Sequence, residues 1–219
     1  MSCVPGLVSS TKVRTASRRL LFMRAFLEIA WSPQGLADLK RLLDGELALP
    51  GAPLASRDRF RAVQRLLVRN DPQAASRLEA QRAADRGDDG RRYAYAAGAA
   101  DRDAKSAVFR ALLDDKTLPE SWADAALGPF NAPEQEAATR PLLEEALARL
   151  PELKRTRKIF FVGGWLNSFI GGQTSREALA QVEAFLRRDG LDADLRLKVL
   201  EALDGLERAV RIRERYAGT

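Results

Sequence analysis

Four of the five residues from Lys154 to Lys158 are basic (Lys154, Arg155, Arg157 and Lys158), the densest cationic run in the chain. Such a run can bind an anion. Arginine holds a carboxylate through two parallel N–H···O bonds, which makes Arg155 and Arg157 the members best suited to a peptide carboxylate. The competing reading is a solvated basic face paired with the nearby Glu144, Glu145 or Glu152. Other chemistry lacks its parts. A nucleophilic Ser168 or Ser175 would need a base, and the chain has no histidine to supply one. Glu134 and Glu136 follow Pro133 as acids do in the first turn of a helix, not as an acid–base pair. Gly163-Gly164 and Gly171-Gly172 lack phosphate-loop spacing. One cysteine (Cys3), no histidine and no Asp-rich calcium loop leave no set of metal ligands. Tyr93 and Tyr95 lie among small residues, which suits either tight helix contact or an aromatic ligand platform.

Composition narrows the function classes. A chain of 219 residues, 46% hydrophobic and 30% charged, is globular and long enough to bury a core as one domain. Its net charge of +6 invites a nucleic-acid reading, but 36 basic residues are interleaved with 30 acidic ones, as on solvated helix faces. Nucleic-acid binding would need the basic residues gathered on one concave face. The lone cysteine excludes an internal disulfide and suits a reducing cytoplasm. The most apolar run, Leu20 to Trp31, is too short to span a membrane and carries Arg24 and Glu28. It also lacks the unbroken apolar centre of a signal peptide.

The elements that would position these residues are helical throughout. Residues 1–10 read as a disordered leader, followed by a single helical-repeat domain over 11–219. A helix from about Thr11 to Trp31 carries Val13, Ala16, Leu20, Met23 and Leu27 on one face and Leu21, Phe22, Phe26 and Ile29 beyond it, so it should pack on two sides. Ser32-Pro33 opens the next helix, and Gly45 closes it. Ser56, Asp71-Pro72, Gly87 to Gly90, Asp101 and Leu118-Pro119 punctuate five more. Pro133 opens a short helix, Pro141 a second with Leu142, Leu143, Ala146, Leu147 and Leu150 on one buried stripe, and Pro151 a third that continues through Gly163-Gly164 to Ile170. That glycine pair costs a helix roughly 1 kcal/mol per residue against alanine, so it should mark a kink or a close helix approach. A buried strand over Ile159 to Val162 is the alternative. Thr174 and Glu177 have capping-box spacing, and a last helix runs from Asp192 to about Tyr216. The expected fold is all-α: about twelve helices in a HEAT-like helical-pair solenoid or irregular α-superhelix.

The run FNAPEQEAATRPLLEEALARLPELKRTRKIFF, the following Trp165 and FIGGQTS, with SPQGLADLKRLLDGE and LERAVRIR, resembles the C-terminal helical domain of aminopeptidase N family zinc metallopeptidases, of the endoplasmic-reticulum-aminopeptidase type. The resemblance covers about Val13 to Arg213 and rests on helix-packing motifs. It implies a domain that encloses the substrate chamber, modulates peptide access and meets the far end of the peptide with basic residues. It also implies a zinc ion in a catalytic domain that this sequence does not contain. The family domain is longer than this chain, so its first helices are expected to be missing and Leu21, Phe22, Phe26 or Ile29 exposed. Such a face would self-associate or meet the peptidase catalytic domain or another protein partner. The alternative is an independent helical-repeat scaffold that binds proteins.

A zinc aminopeptidase needs two imidazoles in a His-Glu-x-x-His helix, with its Glu as base. Without histidine, the purified chain is expected to bind no stoichiometric zinc and to cleave no aminoacyl substrate. Metal analysis finding one tightly held zinc per chain, with activity lost to a chelator, would refute this.

Overall fold

A computed structural model describes the backbone of residues 5–51 and 53–216, and side chains from Ser17 onward within those ranges. The described residues form twelve α-helices and one 3-10 turn, with no strand, which bears out the all-α expectation. They divide into two compact units, Met1–Ala94 and Tyr95–Thr219.

In the first unit, α1 (Pro5–Ile29), α2 (Pro33–Asp44) and α4 (Ala74–Ala84) all pack on α3 (Ser56–Val68), whose Phe60, Ala62, Val63 and Leu66 are buried. α1 begins before Thr11, taking in residues 5–10 of the supposed leader; residues 1–4 lie outside the described residues. The α2 boundaries follow the sequence signals. Ser32 Oγ accepts from the Gly35 N–H at 3.1 Å, Pro33 opens the first turn, and Gly45 closes the helix at φ 79°. α3 begins with a buried carboxylate, Asp58, held by Arg24 of α1 at 3.0 and 3.2 Å. A carboxylate in a first turn lies at the positive end of its helix, which offsets part of the cost of burial. α5 (Asp88–Gly98) runs across the boundary between the units.

The second unit contains α6 (Lys105–Asp114), α7 (Glu120–Phe130), the 3-10 turn Pro133–Gln135, α8 (Glu136–Ala148), α9 (Leu150–Thr156), α10 (Ile159–Phe169), α11 (Arg176–Leu186) and α12 (Ala193–Tyr216). α10 packs against α7, α8, α9 and α12, while α11 packs against α8 and α12. Trp165 and Phe169 of α10, Phe109 of α6 and Phe130 of α7 form one aromatic cluster, with the Trp165 and Phe169 ring centroids 4.2 Å apart. Trp165 Nε1–H donates to the Ala146 carbonyl at 3.1 Å, so the buried indole loses no hydrogen bond.

Three local expectations need correction. Pro141 lies inside α8 instead of opening a helix; buried Leu143, Ala146 and Leu147 beyond it anchor the helix despite the missing N–H. The helix expected to run from Pro151 to Ile170 is two, parted by Arg157 and Lys158 in extended conformation. The α11 cap is Ser175, whose Oγ accepts from the Ala178 N–H, because the Thr174 hydroxyl instead donates to Glu136. Ile159 to Val162 is helix, not strand.

The glycine pair in α10 divides its roles. A Cβ on Gly164 would stand 3.1 Å from Asp124 and 3.6 Å from Leu127 of α7, whereas one on Gly163 would meet nothing within 4 Å. Further on, a Cβ on Gly172 would collide with the Asn131 carbonyl oxygen. Gly163→Ala should therefore stabilise the protein by about 0.5–1 kcal/mol. Gly172→Ala should destabilise it by about 2 kcal/mol or more. Urea unfolding of the two variants measures both signs.

Candidate functional site

The α9–α10 break distributes the basic cluster over three settings. Lys154 and Arg155 occupy the last turn of α9, where cations suit the negative helix end. Lys154 Nζ lies 2.6 Å from Asp192 and 3.2 Å from Asp194, which raises its pKa and lowers that of Asp192; in each case the shared hydrogen bond is the largest cause. Arg157 is half-buried, its guanidinium 5.4 Å from the Phe161 ring centroid and one amino group reaching toward the Leu112 carbonyl at 3.5 Å. Arg155 and Lys158 are exposed, and neither side chain has an ion pair among the described residues. The acids expected to neutralise the cluster are engaged elsewhere: Glu144 with Arg188, Glu145 with Arg110, and Glu152 with Arg149. The four cations thus do not converge on one anion. Arg155 and Lys158 are the two left open.

The remaining candidates are structural. Glu136 begins α8, and its carboxylate accepts from the Thr174 hydroxyl and, at 3.1 Å, from the Ser175 N–H. Ser175 caps α11. Tyr93 packs on Phe60 and Tyr95 on Trp122, so they form no common platform. Beneath the loop after α2, Leu42, Leu47, Leu49, Pro53 and Leu54 line a hollow of about 300 Å3. Its one ionisable lining residue is Arg59, whose Nε and Nη2 are bonded to Gln81 and to the Leu43 carbonyl. Among the described residues no group of three or more His, Cys, Asp or Glu side chains is placed to hold a metal. No described helix is long and apolar enough to cross a membrane.

No family model matches the chain. A search of curated proteins finds similarity to aminopeptidase N of Streptomyces lividans. The identity is 26% over 199 residues, which is 90% of this chain and 23% of that protein. The chain therefore spans about a quarter of the length of its curated relative. Its residues do not fit the zinc of a catalytic centre, because the sequence has no histidine and no group of three or more acids or cysteines among the described residues is placed to hold a metal.

One ionisable residue escaped the sequence reading. Lys105, at the start of α6, is 3% exposed; its Nζ donates to the Ala99 carbonyl at 2.8 Å and the Phe130 carbonyl at 2.6 Å, and lies 4.9 Å from the Phe130 ring centroid. The available signal was its spacing. Lys105, Phe109 and Leu112 fall at i, i+4 and i+7, so the lysine occupies a position on the apolar stripe. Burial lowers its pKa from 10.5 to about 7, and a neutral amine retains two N–H donors for these two carbonyls.

Between pH 7 and 10.5 the unfolded chain holds a proton on Lys105 that the folded chain releases, so this residue's contribution to stability rises with pH across that window. Lys105→Met leaves two carbonyls without their donor and should cost about 2–4 kcal/mol. The deficit should be larger at pH 9.5 than at pH 6.5. Paired urea titrations at both pH values test this; an equal deficit would show that Lys105 has the same pKa folded and unfolded.

Proposed function

We propose that this chain is a non-catalytic C-terminal helical domain of an aminopeptidase N-like zinc metallopeptidase. In this reading it encloses the substrate chamber and modulates peptide access. The observation that carries the proposal is the similarity over nearly all of this chain to a limited part of an aminopeptidase N, joined with an all-α fold. Pairing of α3 with α4 and of α11 with α12 supports a HEAT-like build within each unit. The single cysteine suits a cytoplasmic setting. Zinc belongs to the catalytic part alone. Within the peptidase, Arg155 and Lys158 are the cations free to meet the carboxylate of a long peptide, while Lys154 and Arg157 hold the wall in place.

A second reading, an independent helical scaffold for protein partners, draws on α1. Phe22 is 71% exposed, and Leu21, Ile29 and the following Trp31 are exposed with it, whereas Phe26 is half-buried. A face with this much apolar surface in water favours a covering partner or a second copy. The same face fits the first reading if the peptidase's other domains cover it.

Replacing the matched segment of the Streptomyces lividans enzyme with this chain separates the two. The domain reading expects a folded, zinc-loaded chimera that hydrolyses long peptides with a defined length preference. That preference should change on charge reversal at Arg155 and Lys158. A chimera that cleaves aminoacyl substrates yet handles peptides as the enzyme lacking the segment does would favour the scaffold.

A further inference from the structure

The first turn of α10 presents two apolar side chains to water. Phe160 is 87% exposed and Ile159 51%, although the next two residues, Phe161 and Val162, are buried. An aromatic ring this exposed contributes nothing to the core. The charge close to it in sequence is basic, and the one acid at this helix start is Glu120, whose carboxylate accepts from the Lys158 N–H at 3.4 Å. Arg155 and Lys158 are exposed and free of ion pairs among the described residues, and the first turn of α10 holds no acid of its own. Lys154, one turn back, is already neutralised by Asp192 and Asp194, and Arg157 is half-buried over Phe161, so the exposed open cations of this stretch are Arg155 and Lys158.

We propose that Phe160, Ile159, Arg155 and Lys158 form a docking surface for an acidic amphipathic helix of another protein, its apolar stripe covering the ring and its carboxylates meeting the two cations. Size and charge select this occupant. Two apolar side chains and two cations fall far short of a standard globular interface and match one face of a single helix. An anionic membrane would be held by less than one acyl chain's worth of apolar surface and two charges, which is marginal. A second copy brings the same positive charge to the same place and repels it. This inference does not depend on the peptidase reading.

The test uses the full chain and a labelled, end-blocked helical peptide with leucine on one face and glutamate on the other. Blocked ends remove any terminal carboxylate, so binding reports the surface and not a peptide-end site. Anisotropy should show binding that weakens with salt. Phe160→Ser should weaken it on the order of tenfold, as expected for an aromatic anchor. Arg155→Glu combined with Lys158→Glu should weaken it more, and a leucine–lysine peptide should not bind. Phe160→Ser should keep the parent's thermal midpoint, since its side chain lies outside the core, and the charge variant should keep the parent's helical circular dichroism at the assay temperature. Peptide binding unchanged by Phe160→Ser would overturn the proposal. So would binding to phosphatidylserine vesicles in place of the peptide, or a dimer that Phe160→Ser dissolves.

Discussion

Each α-helix ends in carbonyl groups that have no donor within the helix, and a protein built from many short helices has many such ends. Here basic side chains from other segments supply the missing donors. Arg65 Nε donates to the Ala30 carbonyl just past α1, Arg59 to Leu43 near the end of α2, and Arg196 to Leu186 at the end of α11. Lys105 serves two ends at once, Ala99 after α5 and Phe130 at the end of α7. An arginine is suited to this position because it both donates a hydrogen bond and brings positive charge to the negative end of the helix, whereas buried Lys105 acts through its N–H donors. Long stems let arginine and lysine reach these carbonyls from a neighbouring segment while burying their methylenes.

This arrangement accounts for part of the chain's basic excess without a polyanion. Arginines that cap helix ends or pair with Asp and Glu are distributed among the helices. A nucleic acid requires them collected on one surface. The bonds also fix orientation where apolar packing is indifferent to small rotations. In the first unit the Arg24–Asp58 pair ties α1 to the start of α3. In the second, Glu136 ties the start of α8 to the loop before α11.

Around these ties the second unit organises itself on α10. Trp165 and Phe169 face the aromatic cluster, Gly164 lets α7 approach, and Gly171 and Gly172 turn the chain where a side chain would strike backbone oxygens of Asn167 and Asn131. The opposite end of the same helix is exposed, with Phe160 and Ile159 in water and the exposed Arg155 and Lys158 shortly before them in the chain. One short helix therefore carries both fully buried aromatic side chains and the most exposed one of the unit. What holds the fold and what is available to a partner lie two turns apart.

By itself the sequence determined the helical class and most helix starts, because periodic apolar residues, Pro33, Ser32 and Gly45 act through local geometry. It also determined that no histidine chemistry occurs in this chain. Only the tertiary structure decided which charges remain open. Lys154 and Asp192 are 38 residues apart, as are Thr174 and Glu136, and no local pattern encodes those pairings. The same holds for the break at Arg157 and Lys158, for the shift of the α11 cap from Thr174 to Ser175, and for burial of Lys105. In each case a distant hydrogen-bonding or packing partner outweighed a local preference worth about 1 kcal/mol. Local propensity writes the helices, and long-range satisfaction of polar groups selects the residues left facing solvent.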